Sequence, residues 1–239
     1  MKSSFSFFAG LLLLAVAPQL SHAEEQARVF RAVGLGDDGY SDLFFDVKGA
    51  PVAFTANSGS FSTDYPAPPG RKLSFYRITP PPADAPPGTL PKKTVVAEVA
   101  YPEDAIKVIL LLYPAPAQSA LPITGMAIAD LEKQHLPGQA RILNVSSLPA
   151  AFSTGGEVAE ASPHTTDRVV ATGTGPLFLR TAAQVGNGWK VVDTMERNLP
   201  AELRLFVIMV DAPRSYEGGP PVRGTFVYDF KRPPMKFRD

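Results

Sequence analysis

One apolar run occurs twice, and that recurrence limits the folds open to this chain more than any other feature. Lys107-Val-Ile-Leu-Leu-Leu-Tyr-Pro-Ala-Pro116 is echoed by Arg204-Leu-Phe-Val-Ile-Met-Val-Asp-Ala-Pro213. Each copy opens on a basic residue, continues through β-branched, aromatic and unbranched apolar residues, and stops at Ala-Pro. That is the pattern of a strand buried on both faces in a sandwich core. The two runs predict matching strands of two similar domains, and 239 residues is enough chain for two cores of ordinary size.

The flanking sequence repeats in the same order. Ala27-Arg-Val-Phe-Arg-Ala-Val-Gly-Leu35 is echoed by Ala140-Arg-Ile-Leu-Asn-Val-Ser-Ser-Leu148, and Pro51-Val-Ala-Phe54 by Pro149-Ala-Ala-Phe152. Keeping both matches requires about 15 extra residues in the first copy, mainly Gly36–Gly49. Looser matches join Arg71–Ile78 to Gly175–Ala182 and Lys93–Ala100 to Lys190–Arg197. The last strands are Thr124–Leu131 and Arg223–Phe230, both with Gly second, Asp seventh and a large apolar residue eighth.

The 25 prolines and 19 glycines fall between short apolar runs, as turn punctuation does in an all-β protein. The fold expected is two tandem immunoglobulin-like β-sandwich domains of about seven strands each, over 24–133 and 139–230. A short link at 134–138, stopped by Pro137-Gly138, joins them and keeps them close enough to frame a groove. The proline-rich stretch Thr79–Pro91 reads as an exposed loop.

Residues 1–23 have a basic start, an apolar core over Phe5–Ala17 and small residues at Ser21 and Ala23, the pattern of a secretory signal peptide. The apolar run is too short to span a bilayer, so no transmembrane span is expected in the mature chain. The expected location is the periplasm or the exterior. Cysteine is absent, which excludes folds that depend on disulfides. Basic and acidic residues number 23 each, leaving no global field to attract nucleic acid. Residues 231–239 form a basic tail.

Few side chains here can do chemistry. After removal of the leader only His135 and His164 remain as histidines, and the usual hydrolase and phosphate-binding motifs are missing. Ser58-Gly-Ser-Phe-Ser62 reads as a hydroxyl-rich turn, and Asn144-Val-Ser146 matches a glycosylation pattern inside a predicted strand. The most function-like stretch is Gly36–Asp46. Its carboxylates Asp37, Asp38, Asp42 and Asp46 are calcium candidates by oxygen-ligand type, although the EF-hand order is missing. Tyr40 and Phe44 are candidates for ligand contact. The plainer reading is a Gly/Asp turn leading into a strand, Leu43–Val47. Trp189, the only tryptophan, reads as a core anchor in preference to a sugar-stacking platform.

With Gly34-Leu-Gly-Asp-Asp-Gly-Tyr-Ser-Asp-Leu43, the paired Ala-Arg-(Val/Ile)-(Phe/Leu) starts and the twin core strands, the chain resembles secreted proteins of environmental Gram-negative bacteria built from tandem immunoglobulin-like domains. The resemblance spans most of the mature chain, implies that fold, and carries no catalytic or binding residue with it. The function expected is a non-catalytic binding, adaptor or structural module of the cell envelope, with an envelope protein or a polysaccharide as partner and no cofactor. The alternatives are a secreted hydrolase or carbohydrate-active enzyme using 36–46, and a calcium-dependent adhesion module.

Overall fold

The computed structural model describes the chain from Arg28 to Phe230, except positions 69, 103, 132, 155–157, 172–175, 199, 201 and 213–218. The predicted leader and the basic tail lie outside the described residues. The described chain is all-β, with no helix among the described residues. The first half contains β1 (Val29–Gly34), β2 (Tyr40–Val47), β3 (Ala50–Ala56), β4 (Tyr65–Pro66), β5 (Lys72–Thr79), β6 (Lys92–Ala100), β7 (Lys107–Pro114) and β8 (Ile123–Ala129). The second contains β9 (Gln139–Asn144), β10 (Ala150–Ser153), β11 (Val158–Ala161), β12 (Thr165–Ala171), β13 (Pro176–Val185), β14 (Gly188–Asn198), β15 (Leu203–Asp211) and β16 (Val222–Phe230).

These strands form four sheets, ordered β4-β1-β7-β8 and β3-β2-β5-β6 in the first half, and β12-β9-β15-β16 and β11-β10-β13-β14 in the second. The two halves share one topology, strand for strand. Each has a parallel pair at its centre, β1 with β7 and β9 with β15. Eight strands per copy replace the seven expected, because two-residue β4 and seven-residue β12 occupy the same place.

Three apolar clusters hold the layers together. The first lies between the sheets of the first half and includes Phe30, Phe45, Phe54, Phe75, Leu110 and Leu112. The second does the same in the second half, with Ile142, Phe152, Leu179, Leu205, Val207 and Met209. A third joins the halves: Val33, Ile109 and Leu111 meet Leu143, Phe206 and Ile208. This third cluster corrects the reading of the twin apolar runs. A sandwich strand alternates its side chains between two faces, so its own core covers only one of them. On β7 and β15 the second face is buried against the other half. At roughly 1.5–3 kcal/mol for each large apolar side chain removed from water, this contact makes a substantial contribution.

Strand pairing also corrects the repeat. Phe30 pairs with Val108 as Ala140 pairs with Leu205, so the first strands match three residues away from the alignment read in sequence. More consequentially, β2 pairs with both β3 and β5, as β10 does with β11 and β13. The counterpart of Pro149–Phe152 is therefore β2 and not the Pro51–Phe54 stretch. Gly36–Gly49 is no insert; it carries a strand that both halves possess. Within it Gly39 has φ +67°, and a Cβ there would run into the Ala56 carbonyl oxygen, so the turn needs glycine. Lys48 and Gly49 both have positive φ, as a two-residue type I′ hairpin requires.

Candidate functional site

The acidic segment resolves into separate ion pairs. Asp37 bonds Arg223 at 2.6 Å, Asp42 bonds Arg77 at 2.7 Å, and Asp46 accepts from Tyr76 Oη at 2.5 Å and from Lys93 Nζ at 3.2 Å. The Tyr76 hydrogen bond, with Lys93 behind it, holds the Asp46 carboxyl below its ordinary pKa. Asp38 is exposed. No group of three or more His, Asp or Glu able to hold a metal ion occurs among the described residues. Tyr40 turns inward against the first core, and burial pushes its hydroxyl up to about 12. Phe44 is half-buried and stacks on Tyr76, with ring centroids 6.2 Å apart.

Other polar residues flagged by sequence serve the scaffold. Asn144 is fully buried, and its amide donates to the carbonyls of Leu148, Ala161 and Ser162, so it is closed to glycosylation. Ser62 Oγ accepts from the Ala32 amide at 2.9 Å, and Phe61 lies under the Arg31 guanidinium at 4.2 Å. His164 is exposed in the left-handed region, at φ +54°.

Between the halves sits a network of four charges, with Arg204 and Asp229 buried and Arg31 and Asp130 part-buried. Asp130 and Asp229 are the seventh-place aspartates of the two repeats. Arg31 bonds Asp130 at 2.8 Å and Asp229 at 2.7 Å, and Arg204 bonds Asp130 at 2.9 Å and Asp229 through both Nε and Nη2. Burial alone would raise the Asp229 pKa; the hydrogen bond from Arg31 and the charges of both arginines outweigh it and hold the carboxylate below its usual range. His135, in the link, is 1% exposed and lies edge-on to Phe206 at 4.7 Å. Its Nε2 meets the Gln139 carbonyl at 3.0 Å, while Nδ1 has no partner among the described residues. Desolvation lowers its pKa to about 4, so the ring is neutral at pH 7. Apolar packing and this network occupy the contact where a groove was expected.

The open, chemically mixed surface lies elsewhere, on the outer face of β11-β10-β13-β14. There Ala151, Ser153, Val158, Phe178, Ala182 and Trp189 border a depression of about 470 Å³, with Glu160 and Arg180 in its wall. Trp189 is 44% exposed, Val191 57% and Val158 63%, unusual values for large apolar side chains on a sheet. Register mixes polar and apolar side chains across this face. Val158, Ser153, Arg180 and Thr194 form one row; Glu160, Ala151, Ala182 and Val191 form the next; Gln184 and Trp189 pair beyond them. Among the described residues neither Glu160 nor Arg180 forms an ion pair.

A β-bulge explains why Trp189 is outside, against the expectation that it anchors the core. Met195 faces the core, and strict alternation backward from it would put Asp193, Val191 and Trp189 inward as well. The register of β13 with β14 shifts between Thr181 and Ala182, where Thr181 faces Asp193 but Ala182 faces Val191. The extra residue, Val192, packs on the core, and the side chains before it reverse faces. Sequence offers no signal for the bulge beyond the apolar pair Val191-Val192, which cannot both face one way in a regular strand.

The same bulge occurs in the first half, between Phe75 and Tyr76, and it sets the two faces in register. Tyr76 lies between Phe44 and Val95 as Ala182 lies between Ala151 and Val191, and Lys93 faces Ile78 as Trp189 faces Gln184. In the first half this place is filled by the Phe44–Tyr76 stack, with Lys93 Nζ 4.5 Å above the Tyr76 ring. In the second half two alanines leave it empty, with tryptophan at its edge. No protein-family model and no curated protein matches the chain.

Proposed function

We propose that the chain is a non-catalytic binding module of the cell envelope, made of two tandem immunoglobulin-like domains, whose ligand seats on the outer face of β10, β11, β13 and β14. The observation that carries this reading is the alanine-floored depression beside Trp189, at a position the repeat fills with aromatic side chains in the other half. The first half's outer face exposes Val95 beside a closed, charge-covered aromatic pair, whereas the second exposes Trp189, Phe178, Val158 and Val191 around an open floor; apolar surface of that extent marks a place where something binds. The leader-like pattern of residues 1–23 supports export, with the periplasm or the exterior as the place of action.

The acidic segment lends no weight to the hydrolase or calcium-adhesion alternatives, since Asp37, Asp42 and Asp46 are each engaged by a cation. The test is retention of the purified protein on envelope fractions. Wild-type protein is expected to be retained, Trp189→Ala to be lost, and Lys93→Ala on the first half's outer face to behave as wild type. Retention unchanged by Trp189→Ala, or turnover of ester, peptide or glycoside substrates abolished by a single Asp or Ser substitution, overturns the reading.

A further inference from the structure

We infer that the ligand of this face is a neutral glycan chain, an inference that rests on the binding reading above and adds the chemical class. A pyranose ring has an apolar C–H face and a rim of hydroxyls that both donate and accept. Its natural seat is an aromatic surface interleaved with hydrogen-bonding side chains. The second half's outer face has that composition. Trp189 and Phe178 supply exposed aromatic rings, Ala151 and Ala182 make a shallow floor, and Arg180, Glu160 and Ser153 stand beside them as donor and acceptors. Arg180 lies 5.7 Å over the Phe178 ring, which fixes its position over the face.

Charge and dryness separate the glycan from other occupants. The face carries Arg180 between Glu160 and Glu196, so an acidic polymer meets two carboxylates for one guanidinium and is repelled. A lipid or an apolar small molecule calls for an enclosed apolar pocket, whereas this depression is open and every apolar side chain in it neighbours a polar one. A second copy of the chain, or another protein, would form a central contact from which charge is largely excluded, and would bury Glu160 and Arg180, which have no ion-pair partner among the described residues. A neutral glycan leaves those groups wet or hydrogen-bonded through water, at little cost. The first half supplies an internal comparison: Lys93 over Tyr76, stacked on Phe44, fills with the protein's own side chains the volume that a sugar ring would take in the second half.

The chain holds a single tryptophan, so fluorescence excited selectively at tryptophan reports Trp189 alone. Titration of the full-length mature protein with soluble β-glucan, xylan and mannan oligosaccharides is expected to give a saturable quench or blue shift with at least one of them. By calorimetry, Trp189→Ala should weaken that binding about tenfold or more. Ala182→Tyr, which restores the first half's filling, should do the same, while Lys93→Ala leaves it unchanged. Should Ala182→Tyr fail to fold, Trp189→Ala at its exposed position still decides. A polyuronate or a phospholipid vesicle binding in place of the neutral sugars overturns the inference. So does a fluorescence shift that grows with protein concentration and tracks dimer mass in sedimentation. If no neutral glycan binds but envelope retention still depends on Trp189, the glycan assignment falls and the binding face stands. If retention is also indifferent to Trp189, both fall.

Discussion

The outer faces of the two halves occupy the same place in the repeat, share a bulge, and have opposite surfaces. On the first, Asp46 pairs with Lys93 and Glu98 with Lys72 at 2.5 Å, around a closed Phe44–Tyr76 stack. On the second, small residues and exposed apolar ones stand among charges without ion-pair partners among the described residues. The backbone is common to both, so the difference is one of side chains at matched positions. A duplicated fold can keep one copy as a soluble wall and free the other to bind, because outward positions contribute little to the core and can change at small cost.

The faces can be compared only while the shared inner layer holds, and the largest effect is expected there. Asp229→Ala leaves the buried Arg204 and the part-buried Arg31 with one carboxylate between them. It should cost about 3–5 kcal/mol, read as a lowered midpoint in urea for both halves in one transition. Two separate transitions in the wild type would show that the halves do not depend on the third cluster. Because the Asp229 pKa is lowered by folding, its contribution is complete above the ordinary carboxylate range and is lost as pH falls through the folded value.

Next in size is the acid response of His135. Its pKa falls from 6.5 to about 4 on folding, so between those values the unfolded chain binds the proton and the native chain does not. Stability should therefore decline as pH drops from 6.5 to about 4, by up to about 3 kcal/mol, and level off below. His135→Phe should flatten that stretch of the pH–stability curve while keeping the ring contact with Phe206. An unchanged slope in the variant would assign the acid sensitivity to other groups.

The faces themselves can then be exchanged. Placing Tyr at 182 and Lys at 189 should abolish the binding predicted for the second half with little change in melting temperature. The reverse change, Tyr76→Ala with Lys93→Trp in a Trp189→Phe background, should open a depression on the first half and give the one remaining tryptophan a solvent-exposed emission spectrum. Smallest of all, Asp46→Asn should leave the melting temperature within error, since that ion pair is exposed and screened. A clear loss there would mean that the first face contributes to more than solubility.

Much of the fold was legible in the residues. Twin Val/Ile/Leu-rich runs, proline and glycine punctuation, and seventh-place aspartates gave an all-β chain with a collinear repeat, because hydrophobic periodicity and turn chemistry are local properties. The Gly/Asp turn into a strand at 36–47 was read correctly, but its place in the repeat was not. Phe54 resembles Phe152 in sequence, whereas pairing makes β2 the partner in topology. The candidate site was not legible. Alternation counted from Met195 points Trp189 inward, and only the bulge opposite Thr181 and Ala182 turns it out.

Composition and order of residues thus determined that the chain makes strands, how many times it repeats its unit, and which segments are apolar enough to lie inside. Tertiary structure alone decided what those segments lie against and which way they face. A strand's register and a single extra residue in a ladder are settled by the partner strand, and each moves every side chain beyond it to the other side of the sheet. For the same reason the second buried face of β7 and β15, the meeting of Asp130 with Arg204, and the alanine floor beside Trp189 arise between segments far apart in sequence, where no local pattern records them.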